Sequence, residues 1–248
     1  MPITASKDRV DKMTDMVDAL AFYFVFVFSV TCHEAAHAWV AKLGGDLTAY
    51  LGGQVSLDPI PHMKREPFGM VILPLISVTL IGWPLGYASA PYNPAWAQRF
   101  PKRAAWMALA GPAANLALVV AAGIAIHIGM GIGAFEAPYS PSFSSVVAST
   151  ASENATSLSG AFAFIISILF SMNLLLAVLN MIPLPPLDGS GALPLILPDA
   201  WLVTYQRIIH QPMLAWIGIF LVWNLVGKVF WPIFYVCIGL LYPGVTYS

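Results

Sequence analysis

The stretch "AFYFVFVFSVTCHEAAHAWV", residues 21–40, decides the fold. Its first half is apolar enough to lie in lipid, and its second half carries His33, Glu34 and His37. No proline or glycine interrupts residues 17–43, and about 20 predominantly apolar residues suffice to cross a bilayer as a helix. This segment is therefore expected to be a membrane helix that ends in an ionisable cluster.

Composition extends that reading to the whole chain. Of its 248 residues, 58% are hydrophobic and only 9% charged, with a mean hydropathy of +0.76, whereas soluble domains run near 25% charged. Further apolar segments fall at roughly 68–88, 104–130, 160–181 and 212–243, the last long enough for about two crossings. The expected class is an all-α polytopic membrane protein with about five to six transmembrane or re-entrant helical segments. A short β-hairpin or strand is expected after the first of them.

Net charge is −1, from 11 basic and 12 acidic residues, which excludes the concentrated basic face that nucleic-acid binding needs. Cys32 and Cys237 lie in separate apolar segments and suggest no disulfide. The opening "MPITASKDRVDKMTDMVD" mixes Lys7, Arg9 and Lys12 with four aspartates, unlike the basic start of a signal peptide. The first helix is expected to be retained, because cleavage after its apolar run would sever the histidine cluster. Residues 1–16 read as a polar segment, 17–190 as the core and 191–248 as C-terminal helices.

Between the first two apolar segments lies "LTAYLGGQVSLDPIPHMKREP", residues 47–67. Its Gly pair and alternating "QVSLD" predict a strand or hairpin ended by Pro59 and Pro61. Residues 82–103, "GWPLGYASAPYNPAWAQRFPKR", break the helical pattern with four prolines. Residues 134–160 contain no Lys or Arg and read as a non-cytoplasmic loop. The sequon Asn154-Ala155-Thr156 inside it carries little weight, since such triplets arise by chance.

Histidines four apart on a helix share a face, so His33 and His37 can aim ring nitrogens at one ion while Glu34 reaches water beside it. This is the H-E-x-x-H arrangement of zinc hydrolases. A single buried membrane histidine is best read as a hydrogen-bonder to a neighbouring helix. Three ionisable groups together need a compensating cation, because each costs roughly 2.5–3.5 kcal/mol at the bilayer centre on the lenient insertion scale.

Catalytic zinc usually takes three protein ligands, so a third must come from elsewhere in the chain. Asp188, His62, His127, His210 and Asp58 are the candidates near apolar segments. Asp188 stands apart because its setting, "NMIPLPPLDGSG" at 180–191, combines three prolines that end a helix with a glycine that permits a turn. Broken backbone at membrane depth is tolerated where protein or a watery cavity surrounds it.

HEAAH on a membrane helix, "GPAAN" at 111–115 and "NMIPLPPLDG" at 180–189, in that order, resemble the site-2 protease family of intramembrane zinc metalloproteases, in a short form without a PDZ or CBS domain. The family's Asn, Pro, Pro and Asp-Gly fall on Asn180, Pro183, Pro185, Asp188 and Gly189. The resemblance covers roughly 17–190, which it makes an intramembrane metalloprotease core. It implies one Zn2+ held by His33, His37 and Asp188, with Glu34 as general base. It also implies that Asn180 contacts substrate backbone near the scissile bond, and it groups Asn115 of GPAAN with the substrate-side residues while leaving its role open.

A helical substrate hides its carbonyls, so such an enzyme must hold it extended. Gly53, Gln54 and Val55 of the expected strand are candidates for that by β-augmentation, against the plainer reading that they only pack the enzyme. The partners expected are transmembrane protein substrates and the lipid bilayer, with no nucleic acid. Cys32 reads as a small buried hydrophobe, and Asn173 and Asn224 as interhelical hydrogen-bonders.

One ion binding both His37 and Asp188 requires them at equal depth, each near the C-terminal end of its segment. The two segments must then run in the same direction, and a simple single crossing at 68–88 fails that parity. The Lys/Arg distribution favours neither orientation. Metal geometry favours a re-entrant 68–88, the N-terminus outside and the site nearer the cytoplasmic face of a bacterial inner membrane. The rival function is a zinc transporter or sensor, which would need ligands strung across the bilayer; a catalytically dead scaffold fits poorly with the ionisable set intact.

Overall fold

The computed structural model describes residues 3–151, 158–209, 211–245 and 247, with side-chain environments from residue 16 onward. Among the described residues four helices are long and apolar enough to cross a membrane: Met16–Leu43 within α1 (Ile3–Leu43), α6 (Pro101–Gly131), α7 (Leu158–Asn180) and α10 (Pro212–Leu241). The segment expected to hold about two crossings is one 30-residue helix that continues through Pro232. The protein is an all-α polytopic membrane protein.

The pairing of α1, α6 and α7 sets the architecture. His37 contacts Met107 and His33 contacts Asn115, so α1 and α6 run antiparallel. Asn115 meets Asn173 in mid-helix, while a Cβ on Gly191, beyond the end of α7, would lie 2.9 Å from the Cβ of Ala108 near the start of α6. Thus α7 also opposes α6, and α1 and α7 run the same way. Phe22, Phe26, Ile126, Ile168 and Phe234 form the apolar core between these helices and α10.

That arrangement requires residues 44–100 to leave and return at one end of the bundle. The contacts agree: the Gly44 carbonyl accepts from Trp96 Nε1 at 3.0 Å and Arg103 Nη1 at 3.1 Å. Within this stretch the helical run Phe68–Ile81 consists of a π-wound turn, Phe68–Ile72, and α4, Leu73–Ile81. Its 14 residues reach about 21 Å, short of the roughly 30 Å hydrocarbon core. It packs against α1.

The strand expected over residues 53–58 is not formed. The chain instead makes a one-turn helix α2 (Thr48–Leu51) and then α3 (Pro59–Arg65). Gly53 turns the backbone with φ of +75°, and the Gln54 amide closes on the Ala49 carbonyl. Asp58 then caps α3 by accepting from the Ile60 amide at 2.9 Å, with Pro59 at the first helical position. Five alternating residues with no partner strand cannot outweigh a turn and a cap. The paired strands lie later, β1 (Phe135–Glu136) against β2 (Ala148–Ser149). The short α5 (Pro94–Arg99) leads into α6, and α8 (Asp188–Ala192) and α9 (Asp199–Ile209) lie between α7 and α10.

Candidate active site

Helical spacing places His33 and His37 one turn apart on α1, both about 5–6% exposed. The prolines at 183, 185 and 186 end α7 and return the chain so that Asp188 begins α8 facing them. Gly189 permits this return, since a Cβ there would lie 2.5 Å from the carbonyls of Met181 and Ile182. Asp188 Oδ2 then stands 3.0 Å from His33 Nε2 and 3.3 Å from His37 Nε2, and the two Nε2 atoms are 2.9 Å apart.

The direction of these contacts is dictated from behind. His37 Nδ1 lies 2.7 Å from the Met107 carbonyl, which can only accept, so the neutral ring presents its lone pair at Nε2. His33 Nδ1 lies 2.6 Å from Asn115 Oδ1, which sets the same tautomer. Two lone pairs and a carboxylate oxygen therefore converge with no proton to share, an arrangement whose chemistry suits a cation. Tetrahedral zinc with bonds of about 2.0–2.1 Å has ligand–ligand edges of about 3.3 Å, close to the triangle observed.

Two further features fit a metal. A Cβ on Gly111 of α6 would overlap the Nε2 atoms of both histidines, so the absent side chain leaves room between them. Glu34, 5% exposed, keeps its buried Oε2 without a hydrogen-bond partner among the described residues, and its oxygen lies within 4.8 Å of both histidine nitrogens. The His33–Glu34–His37 group is positioned to bind one metal ion.

A cavity of about 420 Å3 opens on this centre. Glu34, His37 and Asp188 form its floor, Pro185 to Leu187 one wall and Ala88 to Ala90 with Tyr92 another. The latter wall is an irregular segment clasped at both ends: the Tyr87 amide bonds the Gly69 carbonyl, Ser89 Oγ donates to Glu66 Oε1, and the Asn93 amide bonds Asp46 Oδ2 at 2.7 Å. Asp46 is 4% exposed. Burial pushes its carboxyl up, but the bonds from Thr48 and Asn93 outweigh this and hold it below the ordinary carboxylate range.

The other sequence candidates sit elsewhere. Gly53, Gln54 and Val55 lie in the turn before α3 and do not line the cavity; Gln54 is 2% exposed. Asn115 is fully buried behind His33, outside the cavity wall, because its amide is consumed by helix-to-helix bonds. Asn180 is half-buried as the last residue of α7. Asp58 is a helix cap, His62 is buried with Nε2 donating to the Ser56 carbonyl, and His127 is exposed on α6. His210 and the sequon at 154–156 lie outside the described residues. The Ala88–Tyr92 wall was not among the residues singled out from sequence, as nothing in its composition marks it beyond flanking prolines.

The fold and centre define a helical membrane protein with a buried His33–Glu34–His37 group positioned to bind one metal ion and with Asp188 beside it. The profile of peptidase family M50 matches residues 21–221, and the chain belongs to that family. It is 33% identical over 163 residues to the Bacillus subtilis (strain 168) protein named "Putative zinc metalloprotease YwhC", a match covering 66% of this chain and 63% of the relative. It is 28% identical over 190 residues to "Putative zinc metalloprotease Rip2" of Mycolicibacterium smegmatis (strain ATCC 700084 / mc(2)155), covering 72% and 61%. The chain thus spans less than two thirds of the length of these relatives. No solved structure matches it.

Proposed function

We propose that the protein is an intramembrane zinc endopeptidase that hydrolyses peptide bonds within or beside transmembrane segments of membrane proteins, as in regulated intramembrane proteolysis. The observation that carries this reading is the convergence of His33 Nε2, His37 Nε2 and Asp188 Oδ2 within 3.3 Å at the floor of a cavity that Glu34 also lines. Family membership and the relatives' names support it.

In this reading His33, His37 and Asp188 hold one Zn2+. When bound, zinc supplies Lewis acidity toward water and a peptide carbonyl. Glu34 accepts a proton from the attacking water and returns it to the departing amine nitrogen. The unpartnered Oε2 of Glu34 suits that shuttle, since no internal hydrogen bond must break first.

The substrate chain lies extended along Ala88–Tyr92, whose Ala88, Ala90 and Tyr92 amides make no backbone hydrogen bond to described residues. This wall takes the role first expected of Gly53, Gln54 and Val55, and Asn180 contacts substrate backbone as the chain leaves the site. The core for this chemistry is 17–190, with 191–248 as flanking helices. The site lies nearer the cytoplasmic face of a bacterial inner membrane, and the partners are transmembrane proteins within the bilayer.

Co-expression with tagged single-span membrane proteins tests the reading. The native chain is expected to shorten at least one of them, and the Glu34→Gln chain none. Equal trimming by both would refute the proteolytic role.

A further inference from the structure

Asn173 is separated from the metal centre by a full residue layer, yet its hydrogen bonds reach it. Its Nδ2 donates to the Leu169 carbonyl at 2.8 Å and to Ser29 Oγ at 2.9 Å. A backbone carbonyl can only accept, so the Asn173 amide has one orientation and its Oδ1 must face the other way. There it accepts from Asn115 Nδ2 at 2.8 Å. Asn115 in turn presents Oδ1 to His33 Nδ1 at 2.6 Å. Asn115, Asn173 and Ser29 are each 0% exposed, so no bulk water competes for these bonds.

The distances identify the controlling link. Asn115 Nδ2 has one other acceptor, the Ser29 carbonyl at 3.5 Å, where a hydrogen bond is weak. The Asn173 contact is shorter by 0.7 Å (3.5 minus 2.8) and dominates. If the Asn115 amide turned over, its Nδ2 would face His33 Nδ1, the proton would move to Nε2, and the nitrogen facing Asp188 would cease to be a ligand. We propose that Asn173 is a positioning residue for the metal centre: by orienting the Asn115 amide it sets the tautomer of His33. The chain of three side chains, Asn173, Asn115 and His33, runs from α7 through α6 to α1, so the same bonds that join the three helices also pass a donor direction to the ligand. Outer partners of metal-binding histidines typically change affinity by about 10–100-fold.

This inference rests on His33 being a metal ligand, and the experiment separates the two claims. The full chain, purified in detergent and stripped of metal, is titrated with Co2+ and then Zn2+, following cobalt absorption. Absence of any site-stoichiometric binding by the native chain would defeat the ligand reading itself. Given native binding, Asn173→Leu is expected to bind 10–100-fold more weakly. Adding Asn115→Asp to it should restore affinity to within a few-fold, because a carboxylate offers His33 only acceptors and needs no orienting. Unchanged affinity in Asn173→Leu, or a loss that Asn115→Asp does not repair, would overturn the proposal in favour of a packing role. Should Asn173→Leu fail to fold, 15N-histidine NMR of the native metal-free chain decides: His33 protonated on Nδ1 supports the proposal, and protonation on Nε2 overturns it.

Discussion

Gly111 of α6 lies so close to His33 of α1 that a Cβ at position 111 would overlap the His33 Nε2, and the His37 Nε2 with it. The space between the two histidines and Asp188 therefore exists because residue 111 has no side chain. Forcing a methyl group into a packed site costs about 1–3 kcal/mol, or roughly fivefold to 150-fold in affinity. Gly111→Ala is expected to lower zinc affinity by that factor while leaving the helices assembled. Metal analysis of the purified variant, beside its circular dichroism, checks both halves.

Glu34 and Asp188 share the cavity floor but differ in their distances to the histidines, and their variants should differ accordingly. Glu34→Gln removes a proton acceptor and is expected to lose on the order of 10^2–10^4-fold in cleavage rate while keeping its zinc. Asp188→Asn weakens a contact 3.0–3.3 Å from both histidine nitrogens and should lose zinc and cleavage together. Parallel zinc determination and rate measurement on the two variants separates the roles.

Helix α10 lines the cavity with Pro212 and Ala215 and packs closely on the Pro185 turn at Gly218. A Cβ on Gly218 would collide with the Pro185 carbonyl, three residues before Asp188, whereas Gly227 on the same helix meets nothing within 4 Å. Gly218→Ala is expected to destabilise the protein by about 1–3 kcal/mol, and Gly227→Ala to be neutral or to stabilise it by up to about 1 kcal/mol. Thermal unfolding in detergent should order the three proteins accordingly.

Asp46 joins the end of α1 to the cavity wall through the Asn93 amide. Its carboxyl is held below its ordinary value of 3.8, so the folded state binds the proton less readily than the unfolded one. The stability this contributes is present above that ordinary value and is lost as pH falls through the lower folded value. The stability gap between native protein and Asp46→Asn should thus be full at pH 7 and shrink below about pH 4, as melting curves across that range would record.

The histidine pair and Glu34 were legible in sequence because i and i+4 on a helix share a face whatever surrounds it. Asp188 stood out among five candidates because its prolines and glycine constrain backbone directly, and the family resemblance then paired it with the histidines. The polar network was not: Asn115 and Asn173 are 58 residues apart, and Asn173 and Ser29 are 144 apart, so only the packing of three helices discloses which partner each amide takes. Asn173 was readable as an interhelical hydrogen-bonder, but not as the group that bonds Asn115 behind His33. The strand over residues 53–58 was misread because short alternation is weak beside a glycine turn and an aspartate cap. The wall at Ala88–Tyr92 has no periodicity to read, since its conformation comes from what grips its ends.

The central claim, that this metal centre hydrolyses peptide bonds of membrane segments, is tested most directly on purified protein. The native chain is mixed in detergent with a single-span membrane protein that it trims in cells, and the products are mapped by mass spectrometry. A cut within or beside the apolar segment is expected, abolished by a zinc chelator, restored by added zinc and absent with Glu34→Gln. Cleavage that persists in the chelated protein or in Glu34→Gln would contradict it.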